Sequence, residues 1–157
     1  MTVERLERRQ IISASLAETW AFFSRPENLA LITPPWLGFR LTSPHQDTMY
    51  AGMIVTYSVS PFLGLRMGWV TEITRCDEPY FFVDEQRLGP YRFWHHQHRF
   101  REVDGGVEVH DLIHYRLPFG LPGRLAGGPV RHKLHAIFDY RRLAMQERFG
   151  TVTTQGE

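Results

Sequence analysis

The chain has 157 residues, a formal charge of +1, 43% hydrophobic and 22% charged residues, and a single cysteine. That length suits one core rather than two, and so balanced a charge provides no field to gather phosphate backbones, which argues against nucleic acid as a partner. Cys76 has no second thiol for a disulfide or a zinc pair, and no stretch reads as a secretory signal or reaches the length of a membrane span. The expectation is one domain over 1–150 with a disordered tail over 151–157, no membrane span and cytoplasmic residence, the choice between monomer and homodimer staying open.

Val3 to Ser13 alternates as a first strand, marked by Val3, Leu6, Ile11 and Ile12 with its register open. Ser15-Leu-Ala-Glu18 is a capping-box pattern opening a short helix, and Ser24-Arg-Pro-Glu27 repeats it with Pro26 in the first turn, before a Thr33-Pro34-Pro35 stop. Strands are then expected near Phe39 to Ser43, Met53 to Ser60, Arg66 to Arg75, Tyr80 to Arg87, Trp94 to Val103 and Val107 to Leu117. The turn residues between them leave only short connections, which make an antiparallel meander. A Pro/Gly-rich stretch, Leu117 to Pro129, leads to a helix running to about Phe149. Its apolar stripe is Val130, Leu134, Ile137, Phe138 and Met145, opposite Arg131, His135, Arg142 and Glu147. The order is α+β: about seven strands in a curved antiparallel sheet wrapped around a long C-terminal helix, with two short helices after strand one. A pocket remains wherever the helix does not fill the concavity, and Leu117 to Pro129 is expected to border its entrance with the Pro61-Phe-Leu-Gly64 turn.

At the two-residue period of a strand, Trp94, His96, His98 and Phe100 share one face, and their aromatic ends point that face inward. A Gly105-Gly106 loop would set Phe100 opposite Asp111, His98 opposite Ile113 and His96 opposite Tyr115, turning Asp111, Ile113 and Tyr115 inward. A one-residue slip would instead bury Glu108, His110 and His114. Asp111 then lies diagonally from His98. Three readings of the patch His96, His98, Asp111 and Tyr115 stay open. The groups satisfy one another and pin the register, they orient a ligand, or they bind a metal, for which His-x-His with one carboxylate lacks a further strong ligand. One of Asp84, Glu85 and Gln86 points inward near the Gly89-Pro90 turn, and the register does not choose among them.

Ile32-Thr-Pro-Pro-Trp36, Asp84-Glu-Gln86 followed by Gly89-Pro-Tyr91, Trp94-His-His96-Gln-His98-Arg-Phe100, Asp111-Leu-Ile-His-Tyr115-Arg-Leu-Pro118 and Ile137-Phe-Asp-Tyr-Arg141 together resemble the SRPBCC family, in the bacterial branch labelled polyketide-cyclase-like. The resemblance spans nearly the whole chain. It implies the helix-grip fold of the birch-pollen allergen and START lipid-transfer domains, with a hydrophobic cavity between the sheet and the last helix. It carries no catalytic residue across. The expected function is binding of a small hydrophobic or amphipathic molecule (a lipid, a polyketide-like or an aromatic compound), with no cofactor and no metal. The cavity set is Tyr57, Trp69, Trp94, His96, His98, Asp111, Tyr115, Leu134 and Phe138. One alternative is a cyclase-, aromatase- or dehydratase-type enzyme acting on a polyketide-like substrate with a histidine moving a proton. Another is a protein-interaction or regulatory module using Arg131, Lys133, Arg142 and Arg148.

Overall fold

The computed structural model describes residues 2–45, 48–117 and 127–152, with Phe62 described by its backbone alone. In chain order the elements are β1 (Glu4–Ile12), α1 (Leu16–Phe23), two 3-10 helices (Pro26–Ile32 and Pro35–Leu37), β2 (Arg40–Leu41), β3 (Ile54–Phe62), β4 (Leu65–Asp77), β5 (Phe81–Leu88), β6 (Phe93–Val103), β7 (Gly106–Arg116) and α2 (Gly127–Phe149). The strands form one seven-stranded antiparallel sheet in the order β1-β7-β6-β5-β4-β3-β2. This is the α+β helix-grip arrangement expected from the sequence: β2 to β7 run as a meander, β1 adds beside β7, and the curled sheet is covered by α2. No described helix is long and apolar enough to cross a membrane.

The capping box at Ser15 is formed, with the Glu18 N–H donating to Ser15 Oγ at 3.2 Å and the Ser15 N–H donating to Glu18 Oε2 at 2.8 Å. Eight residues cannot hold a helix alone, and α1 is secured by burying Trp20 edge-on against Phe82 and Phe100, with ring centroids 6.0 and 6.2 Å apart. The second expected capping box does not form. Ser24 is the C-cap of α1, its N–H donating to the Trp20 carbonyl at 2.9 Å, and Glu27 bonds His45, so the next segment starts at Pro26 as a 3-10 helix without a side-chain cap. On β1, Leu6 and Ile12 are buried whereas Ile11, like Val3 just before the strand, is exposed, which settles the open register.

The β6–β7 turn is not Gly105-Gly106. Val103 pairs with Gly106, so the loop is Asp104-Gly105, and the whole ladder stands two residues from the expected register. The physical reason lies in β1. A Cβ on Gly106 would sit 2.0 Å from the Ile12 carbonyl oxygen, so this glycine serves close strand approach while Gly105, at φ +81°, makes the turn. Because the shift is even, every side chain keeps its predicted face. Trp94 is opposite Tyr115, His96 opposite Ile113, and His98 directly opposite Asp111 rather than diagonal to it. The expected pairs His96 with Tyr115 and Phe100 with Asp111 are therefore corrected.

The apolar interior falls into two clusters. One gathers Ile12, Trp20, Phe23, Phe82, Phe100 and Met145 under α1, and the other gathers Trp69, Trp94, Ile113, Tyr115, Leu134 and Phe138 under the first half of α2. His96 and His98 lie on β6 between Trp94 and Phe100, at the seam of the two.

Candidate functional site

At that seam β5, β6, β7 and α2 each contribute a polar side chain. His98 Nε2 is 2.6 Å from Asp84 Oδ2, and His96 Nε2 is 2.7 Å from Asp111 Oδ1. The imidazoles lie against each other with centroids 3.7 Å apart, His98 stacks on Phe82 at 4.0 Å, and His96 meets the Phe138 edge at 5.8 Å. The other nitrogens cross over: His96 Nδ1 is 3.4 Å from Asp84 Oδ2, and His98 Nδ1 is 3.3 Å from Asp111 Oδ1. The second of these contacts lacks hydrogen-bond alignment, so His98 Nδ1 is buried without a partner. The Trp94 indole N–H donates to Asp84 Oδ1 at 3.0 Å, and Arg141 Nη1 approaches Asp111 Oδ1 at 3.4 Å. Asp84 thus resolves the open choice on β5. It pairs with His96 across the strands, whereas Gln86 braces the following loop, donating to the Tyr91 carbonyl at 2.6 Å and accepting from the Tyr91 N–H at 3.1 Å.

Two carboxylates, one guanidinium and two imidazoles in a dry seam balance when one imidazole carries a proton. Burial and the charge of His98 push His96 down to about 4, whereas His98 is raised because Asp111 and Asp84 outweigh its desolvation. Burial by itself would raise both carboxyls. Asp84 is nevertheless lowered by His96, His98 and the Trp94 N–H, and Asp111 is held well below its usual range by Arg141 and the two histidines. His98, facing Asp84, is therefore the imidazole that takes up a proton more readily, and His96 is the one held neutral, its Nε2–H directed to Asp111.

Asp84, His96, His98 and Arg141 form the polar end of a cavity of about 560 Å³. Its wall is a run of aromatic contacts: Phe39 on Tyr57 at 5.1 Å, Tyr57 stacked on Trp69 at 5.5 Å, Trp69 edge-on to Trp94 at 5.3 Å, and Tyr91 against Trp94 at 4.9 Å. From α2 come Val130, Leu134, Ile137 and Phe138, while Lys133 reaches over the Trp36 ring at 5.6 Å to the Pro61 carbonyl. Among the described residues, three buried polar atoms of lining side chains have no hydrogen-bond partner: Trp69 Nε1, His98 Nδ1 and Arg141 Nε.

Of the residues anticipated for the cavity, Tyr57, Trp69, Trp94, His96, His98, Leu134 and Phe138 line it. Asp111 sits behind the histidines, and Tyr115 is buried behind Trp94 and Tyr91 with its hydroxyl donating to Glu4 at 3.1 Å, which raises its pKa, with burial the larger cause, to about 12. Sequence reasoning missed Arg141, although it follows Leu134 and Phe138 at helical spacing and so falls on the buried stripe. It also missed Phe39, Met67 and Tyr91, which line the cavity. Of the expected entrance, Pro61, Leu117 and Pro129 line the cavity, and residues 118–126 lie outside the described ones, as do 153–157 of the tail.

Solved structures share this architecture. Protein Ms6760 from Mycobacterium smegmatis is 17% identical, with 94% of this chain and 98% of that one covered and a TM-score of 0.64. Major latex-like protein 151 from Panax ginseng is 14% identical, with 95% and 99% covered and a TM-score of 0.66. The nucleoside-diphosphate sugar epimerase from Corynebacterium glutamicum is 21% identical, with a TM-score of 0.64. There 90% of this chain is covered but only 28% of the epimerase. No curated protein matches the chain in sequence. The family described as polyketide cyclase / dehydrase and lipid transport matches residues 12–137. With its motifs, sheet order and covering helix all in agreement, the chain belongs to that family, within the SRPBCC group.

Proposed function

We propose that this chain binds one small apolar or amphipathic molecule between the sheet and α2. Tyr57, Trp69, Trp94, Leu134 and Phe138 hold its apolar body, with Tyr115 behind Trp94, and His96 and His98, backed by Asp111, receive its polar end. The observation that carries this reading is the cavity itself. Its volume of about 560 Å³ lies in the range of roughly 300–1,000 Å³ usual for small-molecule sites, and an aromatic wall with a few convergent polar groups at one end is how such sites orient a ligand. The polar end made by Asp84, His96 and His98 favours a ligand that carries a polar group at one end. The same proposal takes 1–150 as one ligand-binding unit and the cytoplasm as its place of work. Native mass spectrometry of protein purified without detergent is expected to show a co-purifying small molecule, and a fluorescent naphthalene probe is expected to saturate at one per chain. No saturable binding would remove the reading.

A second reading, proton transfer on a polyketide-like substrate, is favoured by one feature: the His98–Asp84 couple faces the cavity at 2.6 Å, as a histidine general acid would. His98→Ala separates the two. A purely orienting histidine loses about 1–3 kcal/mol of probe binding, the cost of one unsatisfied buried partner. A catalytic one leaves probe binding nearly intact and lowers turnover by roughly a hundredfold or more.

A further inference from the structure

The seam contains an arrangement that a hydrogen-bonded polar network does not require. Donor atoms of Asp84, His96 and His98 lie within 4.8 Å of one another, on residues that all line the cavity. His96 Nδ1 and Asp84 Oδ2 are 3.4 Å apart. Two ligands on one tetrahedral ion, with bonds of about 2.0 Å, stand about 3.3 Å apart. Nothing bonds His96 Nδ1 to Asp84, because the proton of this imidazole is on Nε2, directed to Asp111. Its lone pair is therefore turned toward the carboxylate.

We propose that Asp84, His96 and His98 form a site for one divalent cation of the zinc class, through Asp84 Oδ2, His96 Nδ1 and His98 Nε2, with the fourth position open to the cavity. Asp111 supplies what such histidines need behind them. It already accepts from His96 Nε2 at 2.7 Å, and its Oδ1 lies 3.3 Å from the unpartnered His98 Nδ1. One carboxylate can thus orient both imidazoles by the nitrogens that face away from the ion. Arg141, 3.4 Å from Asp111, neutralises that carboxylate and keeps it an orienting group rather than a ligand. Without the ion, a proton occupies the 2.6 Å gap between His98 Nε2 and Asp84 Oδ2. Binding exchanges the two: the ion enters, the proton on His98 Nε2 leaves to solvent, the N–H already on His98 Nδ1 turns to Asp111, and the Nε2 to Oδ2 edge opens toward tetrahedral width. Two imidazoles and one carboxylate make a borderline donor set that suits zinc or cobalt and is poor for calcium or magnesium. Sequence reading expected no metal because His-x-His with one nearby carboxylate lacked a further strong ligand, and Asp84 is the one the structure adds.

The test titrates chelator-treated protein at neutral pH with zinc by calorimetry and with cobalt by visible absorption. Expected are one tight site per chain, the intense visible bands of tetrahedral cobalt, and release of one proton per ion, counted by repeating the titration in buffers of different ionisation enthalpy. The near-isosteric Asp84→Asn and His98→Gln should weaken binding by at least a hundredfold, and Asp111→Asn by about 10–100-fold. The half-buried pair on the opposite face of the sheet, His95→Ala with His114→Ala, should leave it unchanged. A wild-type cobalt spectrum of octahedral form, no saturable zinc binding, or a tight site lost with His95 and His114 would each overturn the proposal. Naphthalene-probe binding is measured on the same samples: a chain that binds the probe but no ion refutes the metal site alone, and one that binds the ion but no probe refutes the ligand-cavity reading alone.

Discussion

The side chain on which the seam's electrostatics turn is His96. In metal-free protein its pKa is about 4, through burial and then the charge of His98, against roughly 6.5 in an unfolded chain. Below 6.5 the unfolded chain takes up a proton that the folded one refuses until about 4, so stability falls as pH drops through that window. The loss amounts to on the order of 3 kcal/mol at its lower end. His98 has the opposite sign: raised in the fold, it contributes stability that is present below the unfolded pKa and lost as pH rises through its own. The urea midpoint of wild type should therefore decline from pH 6.5 to 4, and His96→Gln should flatten that decline. An unchanged acid limb in the variant would show that another group causes it. The inward face carrying these histidines was legible from a two-residue alternation ending in aromatics, and so was the inward carboxylate Asp111. Asp84 was not legible, because irregularities in the β4–β5 ladder between Val70 and Thr71 and between Ile73 and Arg75 break the counting that would have oriented it. Arg141 was hidden by its own charge: helical spacing places it on the buried stripe, but a guanidinium is assigned to solvent unless its counter-ion, here Asp111 on another element, is known.

At the scale of elements, the β6–β7 hairpin shows why face could be read and pairing could not. Two adjacent glycines look interchangeable in sequence, yet Gly105 is there for its positive φ and Gly106 for the Ile12 carbonyl of a strand far away along the chain. Only the first reason is local, so a turn rule places the loop one residue late on each strand while the even shift preserves every inward side chain. The two roles predict different costs. Gly106→Ala forces a Cβ into backbone and should destabilise by about 2 kcal/mol or more, with faster hydrogen exchange along β1. Gly105→Asn keeps a residue type that tolerates positive φ and should cost about 1 kcal/mol or less. Equal effects in urea unfolding would mean that β1 yields easily and that close approach is not what selects Gly106. The same limit explains the capping boxes. Ser15 is followed by enough chain for a helix, whereas Ser24 already ends one.

For the molecule as a whole, an apolar cavity between two clusters is stability withheld until something fills it. A ligand that binds only the folded chain adds about 2.7 kcal/mol at a hundred times its Kd. At roughly 2–4 °C per kcal/mol for a domain of this size, Tm should rise by about 5–10 °C. Differential scanning calorimetry with the tightest naphthalene probe checks this, and saturable binding with no shift in Tm would place the probe on the surface or on the unfolded chain. The position of β1 has a further consequence, for the order of assembly. β1 hydrogen-bonds to β7, Ile12 bridges Thr151, and the Ser13 N–H meets the Gly150 carbonyl at 3.5 Å. β1 is therefore made before its partner and finds it only after the rest of the meander has been made, and its far end gains a further bridge from Thr151, beyond the last helix. Until then both of its edges are open to pairing with other chains. Its charged load, Glu4, Arg5, Glu7, Arg8 and Arg9 around one buried leucine, leaves that waiting strand few apolar side chains to offer another chain.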